Sequence, residues 1–427
     1  MSTPAAPTKL IVSQLGARMH YAVPRILHAQ GRLERFYTDI CATKGWPKLL
    51  RAVPGGVMPK AMRRLTGRVP FAVPESAVVT FPSVGVGFAM RRARAKTPTE
   101  QTEAHLWAGR ELSRHLVRHA QSHGVGEAGI VYGFSGECLE ALAAMRTRGL
   151  QTIVEQIVAP KAICDRLVLE EEERFPGWTA VSALDRLSAD YAARERAEWD
   201  ASDLVVCGSD FVRDGVIASG IEPERCVVVP YGVQAHETSE LRRRRPGPLR
   251  VLTIGWVGLR KGAPYVLEAA RRLGSRAEFR MVGACDVVGP ARAALEAAVS
   301  LTGPVPRAEI AAHYAWADVF LLPSICEGSA TVIYEALASG LPVVTTPNAG
   351  SVVRHGVDGY VVPIRDVDAI EAALATLASD ASLYESFSIN ARDRGGQFDL
   401  PAYGRRLAAA VDGLAAGRPS PAFAAAG

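Results

Sequence analysis

Two glutamates stand eight residues apart in the run LLPSICEGSATVIYEALASGLPVVTT, Leu321 to Thr346. Glu327 follows an apolar stretch that stops at Pro323, and Gly328, Ser329 and Ala330 come directly after it. Residues that small let backbone N–H groups approach a phosphate at the start of a helix beginning near Thr331. Glu335 then falls within that helix, so both carboxylates can address one extended ligand. The same run also satisfies a purely structural pattern, strand, small-residue turn, amphipathic helix and strand, which is one unit of a parallel sheet.

Such a unit needs a scaffold, and the chain supplies two. Short β-branched runs (KLIVSQ, RFYTDI, AVVTF, GIVYG, QTIVEQIV, DLVVCG, CVVVP) alternate with helical stretches through the first half. Continuously apolar strands of this kind predict a parallel sheet covered on both faces. VQAHETSELRRRRPGPL, Val233 to Leu249, breaks the pattern, and its arginine run, Arg242 to Arg245, is expected to be a solvated linker face. The alternation restarts with LRVLTIG and a helix from about Ala263 to Leu273, followed by AEFRMVG, DVFLLPS and LPVVTT with helices between them. The expected class is α/β, with two doubly wound Rossmann-like parallel-sheet domains facing across a cleft, and ligands beyond the strands' carboxyl ends. The boundaries are 1–235 for an acceptor-binding domain, 236–248 for a linker and 249–395 for a donor-binding domain. Residues 396–417 are expected as a C-terminal helix crossing back to the first domain, and 418–427 as a tail.

The cassette PSICEGSATVIYEALASGLPVVTT resembles the signature of the retaining GT-B glycosyltransferases called glycosyl transferases group 1, in which Glu, seven residues, Glu recurs. The resemblance implies that Glu327 addresses the transferred sugar and Glu335 the ribose hydroxyls of a nucleotide. LTIGWVGLRKGAPYVLEAA, Leu252 to Ala270, resembles the same family's strand, glycine, loop and Lys-Gly before a helix. It implies that Lys261, with Arg260 beside it, binds the diphosphate beyond Gly255. A departing diphosphate gains charge, and without a metal fixed cations must stabilise it. Trp256 stands after Gly255 where many relatives have an arginine, and Arg260 is the candidate substitute. SLTGPVPRAEIAAHYAWADVFLLPS resembles the base-binding segment, with backbone groups from Gly303 to Val305 reading the base edge. VSQLGARMHYAVPRIL supplies a glycine turn in which Gly16 would let the first domain's helix approach the donor phosphate. Where many relatives end a strand with a histidine near the sugar, TIVEQIVAP carries Glu155 and Gln156.

The resemblance implies a metal-independent retaining transfer from a UDP-, GDP- or ADP-sugar to an acceptor, with no cofactor. A nucleotide-sugar epimerase or phosphorylase of the same fold and a non-catalytic nucleotide-sugar-binding subunit remain alternatives. Asp366-Val367-Asp368 matches a D-x-D metal motif, but its place before AIEAALATLA is that of a helix cap. The nine histidines show no paired ligand spacing, and His115, His119 and His123 are expected to form a surface stripe on one helix. The seven cysteines, with no C-x-x-C, read as reduced and buried.

Charge is unevenly spread. Residues 44–96 hold eleven Lys or Arg against Glu75 alone, +10 in a chain of net +5. An anionic partner follows from this asymmetry. No nucleic-acid module accompanies it. A membrane surface or a phosphorylated acceptor is favoured, with Met58 to Val69 as a short basic amphipathic helix, and a solvated loop is the alternative. No run reaches the ~18 apolar residues of a membrane span and no signal core is present, so a cytoplasmic location, peripheral to the membrane's inner face, is expected.

Overall fold

The computed structural model describes residues 7–53, 58–180, 182, 186–234 and 242–418. Thus 236–241 of the expected linker and 419–427 of the tail lie outside the described residues. Seven parallel strands form the first sheet: β1 Lys9–Gln14, β2 Leu33–Thr38, β3 Val78–Thr80, β4 Ala128–Phe134, β5 Gln151–Gln156, β6 Leu204–Cys207 and β7 Cys226–Val228, in spatial order 3-2-1-4-5-6-7. Six form the second: β8 Leu249–Ile254, β9 Ala277–Val282, β10 Ser300–Gly303, β11 Val319–Leu322, β12 Val343–Thr345 and β13 Gly359–Val361, in order 10-9-8-11-12-13. Both are Rossmann-like, with helices on the two faces. β4, β6 and β11 are buried almost end to end because helices cover them from both sides.

Strand order reverses between β1 and β4 in the first lobe and between β8 and β11 in the second. At such a switch point the loops leave in opposite directions and open a crevice beyond the carboxyl ends of the two strands.

Each lobe lends the other a helix. Leu400–Ala415 places Tyr403, Leu407, Ala410 and Val411 in the first lobe's core with Leu10, Val12 and Ile130. Arg32 pairs with Asp412 at 2.8 Å and Gln30 Nε2 donates to Gly404 O at 2.9 Å. In the other direction, Lys161–Arg174 packs Leu167 into the second lobe's core with Tyr265, Ile325 and Cys326. Buried Glu171 accepts from Tyr265 Oη at 2.6 Å and from Arg365 Nε at 2.5 Å.

Within the linker's arginine run Arg243 is exposed as expected, but Arg242 and Arg245 are bonded to backbone carbonyls. Arg242 donates to Tyr314 O, Ala317 O and Ser339 O at 2.9, 2.9 and 2.6 Å, and Arg245 donates to Ala315 O at 2.9 Å. These carbonyls terminate the helices Arg307–Trp316 and Thr331–Ala338, whose last C=O groups lack intrahelical partners. The linker therefore fastens the backs of the two helices that border the Glu335 site.

The histidine expectation also changes. His119 Nδ1 lies 3.0 Å from Tyr37 Oη of β2 and His115 stacks on Phe81 just after β3, so two of the three histidines pack against aromatic residues of the first lobe. Within Met58 to Val69 the helical part is Lys60–Thr66, seven residues. Asp366 caps the helix Val367–Ser379 by accepting from Ala369 N at 2.8 Å, and Asp368 pairs with Arg272.

Candidate active site between the lobes

The second lobe's switch point gathers Arg260, Lys261 and Glu327. The β8 chain leaves through Gly255, whose φ of +138° suits glycine, and an added Cβ there would lie 2.9 Å from Lys261 Cε. The lysine side chain thus runs along the bare glycine and emerges toward β11. Its Nζ lies 2.9 Å from Glu327 Oε1, and Arg260 Nη1 lies 3.3 Å from the same oxygen. Lys261 and Glu327 are each 8% exposed, and Arg260 is nearer solvent. Burial lowers the Lys261 pKa, offset in part by Glu327 and reinforced by Arg260. Oε1 has no aligned hydrogen bond among the described residues, so this is an ion pair held by proximity.

Next to it, the chain presents backbone donors. Glu327 N donates to Asn348 O and Ala330 N to Ala349 O, at 2.9 and 3.2 Å. The intervening N–H groups of Gly328 and Ser329 have no partner among the described residues. Ala330 is the cap residue of the helix Thr331–Ala338, so these two amides stand at the positive end of its dipole. Gly328 is also where the lobes touch. Its O accepts from Ser209 Oγ at 2.5 Å, and a Cβ would come within 2.1 Å of Ile157 O. Ala159 N approaches Glu327 O at 3.4 Å.

Glu335 is buried at the same helix, its Oε2 accepting from Tyr314 Oη at 3.0 Å and its Oε1 paired with Arg307 at 3.2 Å. Tyr314 and Arg307 were not singled out in the sequence, and no local pattern marks them. Gly303 lines a cavity of about 690 Å3 with Gly283, Cys285 and Thr302 at the ends of β9 and β10. Val305 lies outside that lining and packs against the core around Tyr314 and Ile333. Trp256 is exposed beside the Lys261 loop.

The first lobe's switch point is filled by its own side chains. Leu15 N donates to Glu137 Oε2 at 2.7 Å and Gly16 N to Asp39 Oδ1 at 3.0 Å, while Arg68 pairs with the other Asp39 oxygen at 2.8 Å. The amides around Gly16 are therefore occupied. Burial pushes the Glu137 carboxyl up to about 8 despite the Leu15 amide. Glu155 is fully buried and accepts from Tyr132 Oη at 2.5 Å and Tyr231 Oη at 2.8 Å, with Arg18 3.7 Å away. Arg18 also donates to Tyr231 Oη at 2.7 Å. Glu155 and Gln156, found where a histidine was looked for, thus serve an internal network; Gln156 bridges Trp199 and Glu195.

Two Rossmann-like lobes meeting over a cationic crevice define a GT-B fold, and comparison with solved structures agrees. Anabaena HepE in complex with UDP superposes with a TM-score of 0.59 at 17% identity, covering 96% of this chain and all of that one. Residues 248–380, the second lobe, match the family model described as glycosyl transferases group 1. The amylovoran biosynthesis glycosyltransferase AmsK of Erwinia amylovora is 32% identical over 180 residues, 38% of this chain and 44% of that protein. A D-inositol 3-phosphate glycosyltransferase of Geodermatophilus obscurus is 32% identical over 231 residues, 48% of this chain and 51% of that protein. The chain thus aligns with about half the length of these curated relatives.

Proposed function

We propose that the protein transfers a sugar from a nucleotide diphosphate donor to an acceptor, with retention and without a metal. The observation that carries this is the ion pair of Lys261 and Glu327 beside the unpartnered amides of Gly328 and Ser329. A diphosphate entering there takes over Lys261 and Arg260 and accepts from the two amides, releasing Glu327 to hydrogen-bond the sugar hydroxyls. At ~4 Å and an effective dielectric of ~20, each cation–phosphate contact supplies about 4 kcal/mol before desolvation. Because Lys261 and the helix end are already fixed, little reorganisation accompanies the charge that builds on the leaving phosphate. That phosphate oxygen takes the acceptor's proton on the same face. Glu335 holds the ribose, oriented by Tyr314 and Arg307, and the cavity at Gly303 receives the base. UDP-sugars are the first donors to test, since HepE was solved with UDP and with UDP-glucose. Release of nucleotide diphosphate that depends on acceptor, lost in Glu327→Ala with folding intact, is the expected result; unchanged turnover removes Glu327 from the mechanism.

The acceptor is reached from a membrane surface in this reading. Among the described residues, seven of nine exposed large apolar side chains (Trp46, Leu49, Val53, Met62, Phe71, Val86 and Met90) fall within the strongly basic segment 44–96. Apolar side chains interleaved with cations suit an anionic interface. No helix among the described residues is long and apolar enough to cross a membrane. Sedimentation with anionic vesicles at low salt, lost in the double variant Leu49→Glu, Phe71→Glu, tests it; equal sedimentation of the variant refutes it.

A further inference from the structure

A second cavity, of about 400 Å3, opens between the lobes and shares Ser209 with the Gly328 contact. Ser209, Asp210 and Val228 line it from the first lobe, and Val353, Arg354 and Arg394 from the second. Its wall at Gly350 is tightly packed against the lobe contact, since a Cβ there would meet Gly328 O at 2.1 Å and Ser209 Oγ at 2.6 Å. None of the groups assigned to the sugar donor lines it.

Two arginines give it hydrogen-bond donors suited to an anion. Arg394 is 5% exposed, donates through Nε to Val352 O at 2.9 Å and through Nη1 to Gln397 Oε1 at 3.1 Å, and leaves Nη2 without a partner among the described residues. Arg354 donates through Nε to Asp358 at 2.7 Å and leaves both terminal nitrogens unpartnered there. The neighbouring carboxylates are committed, Asp358 to the Arg354 side chain and backbone N, and Asp210 to Arg213 at 2.8 Å. Two guanidiniums with unspent donors in one sheltered space match a planar oxyanion in charge and geometry. Val228 and Val353 add an apolar wall, and the volume lies in the ~300–1,000 Å3 range of small-molecule sites, beyond what a lone phosphate fills.

We propose that this cavity binds a phosphomonoester of about monosaccharide size, its phosphoryl group on Arg354 and Arg394, as a site separate from the donor crevice. An occupant touching both lobes stabilises their closed relation, so it and the donor alter each other's affinity reciprocally.

The test is calorimetric titration of the full chain with glucose 1-phosphate and with inorganic phosphate. Lys261→Ala, which disables the donor crevice, should still bind glucose 1-phosphate, and bind it more tightly than inorganic phosphate. Adding Arg354→Gln should weaken that binding at least about tenfold, the loss of one charge-assisted hydrogen bond. Adding Val353→Glu instead, which sets a carboxylate on the cavity wall, should do the same and carries the test if the arginine variant does not fold. Loss of all binding in Lys261→Ala alone overturns the proposal. So does undiminished binding in the folded Arg354 and Val353 variants, or binding of inorganic phosphate with no binding of the ester.

Discussion

The two lobes share one topology, yet their switch points are furnished in opposite ways. Between β8 and β11 the chain leaves two amides unpartnered among the described residues and pairs two cations with the single carboxylate Glu327; between β1 and β4 it spends the equivalent amides on Glu137 and Asp39. A side-chain oxygen already seated on an N–H leaves that donor unavailable to a phosphate. The same fold therefore carries one switch point with unpartnered amides and one closed turn, and the proposed function follows the side chains and not the sheet.

The comparison breaks most visibly at its open end. Glu327→Ala should lower kcat by about a thousandfold through loss of the group that positions the sugar, and Lys261→Ala by ~10²–10³, as expected for a group acting on developing charge. Steady-state rates with far-ultraviolet circular dichroism check both; activity near the parent's would show the crevice is not the reacting site. Gly328→Ala comes next. Its methyl cannot coexist with Ile157 O at 2.1 Å, so the lobes must part, and a displacement of that order costs about a hundredfold in kcat. At the closed end the effect should fall on stability. Glu137→Ala leaves the Leu15 amide without its acceptor, a loss of about 1–3 kcal/mol in urea unfolding. Donor affinity should stay within about twofold, and a large change would mean the first lobe's turn also touches the diphosphate.

The smallest effect sharpens the contrast through pH. Glu137 titrates at about 8 in the fold because burial disfavours its charge, and near 4.5 when unfolded. The folded state thus keeps a proton that the unfolded chain has released. The stabilisation is complete below about pH 4.5 and is lost as pH rises through about 8. Glu137→Gln keeps an acceptor for Leu15 N but cannot ionise, so its melting temperature should fall less than the parent's between pH 5 and 8. Identical slopes would show that the Glu137 carboxyl is not the group responsible.

Much of the second lobe was readable from the sequence because its information is local. The helix expected from Ala263 to Leu273 spans those residues, and the glycine before Arg260-Lys261 and the small residues after Glu327 lie within a few positions of the atoms they accommodate. What escaped reading depends on distant partners. Gly16 looks like an open phosphate turn until Asp39 and Glu137 fold onto it from the ends of β2 and β4. Arg242 and Arg245 look solvated until two helix ends arrive 70 to 97 residues later. His115 and His119 keep the spacing of a surface stripe, yet Tyr37 and Phe81 decide which way they face.

The reciprocal loan of helices also bears on how the molecule can be cut. A boundary near residue 395 divides the sequence cleanly but not the fold, because Tyr403, Leu407 and Val411 fill the interior of the opposite half. Trimming the carboxyl end would wound the amino-terminal lobe first, opening a greasy trench beneath β1 and β4. Neither half is then a self-sufficient module, and a fragment expressed alone should be recovered insoluble unless its borrowed helix is supplied in trans.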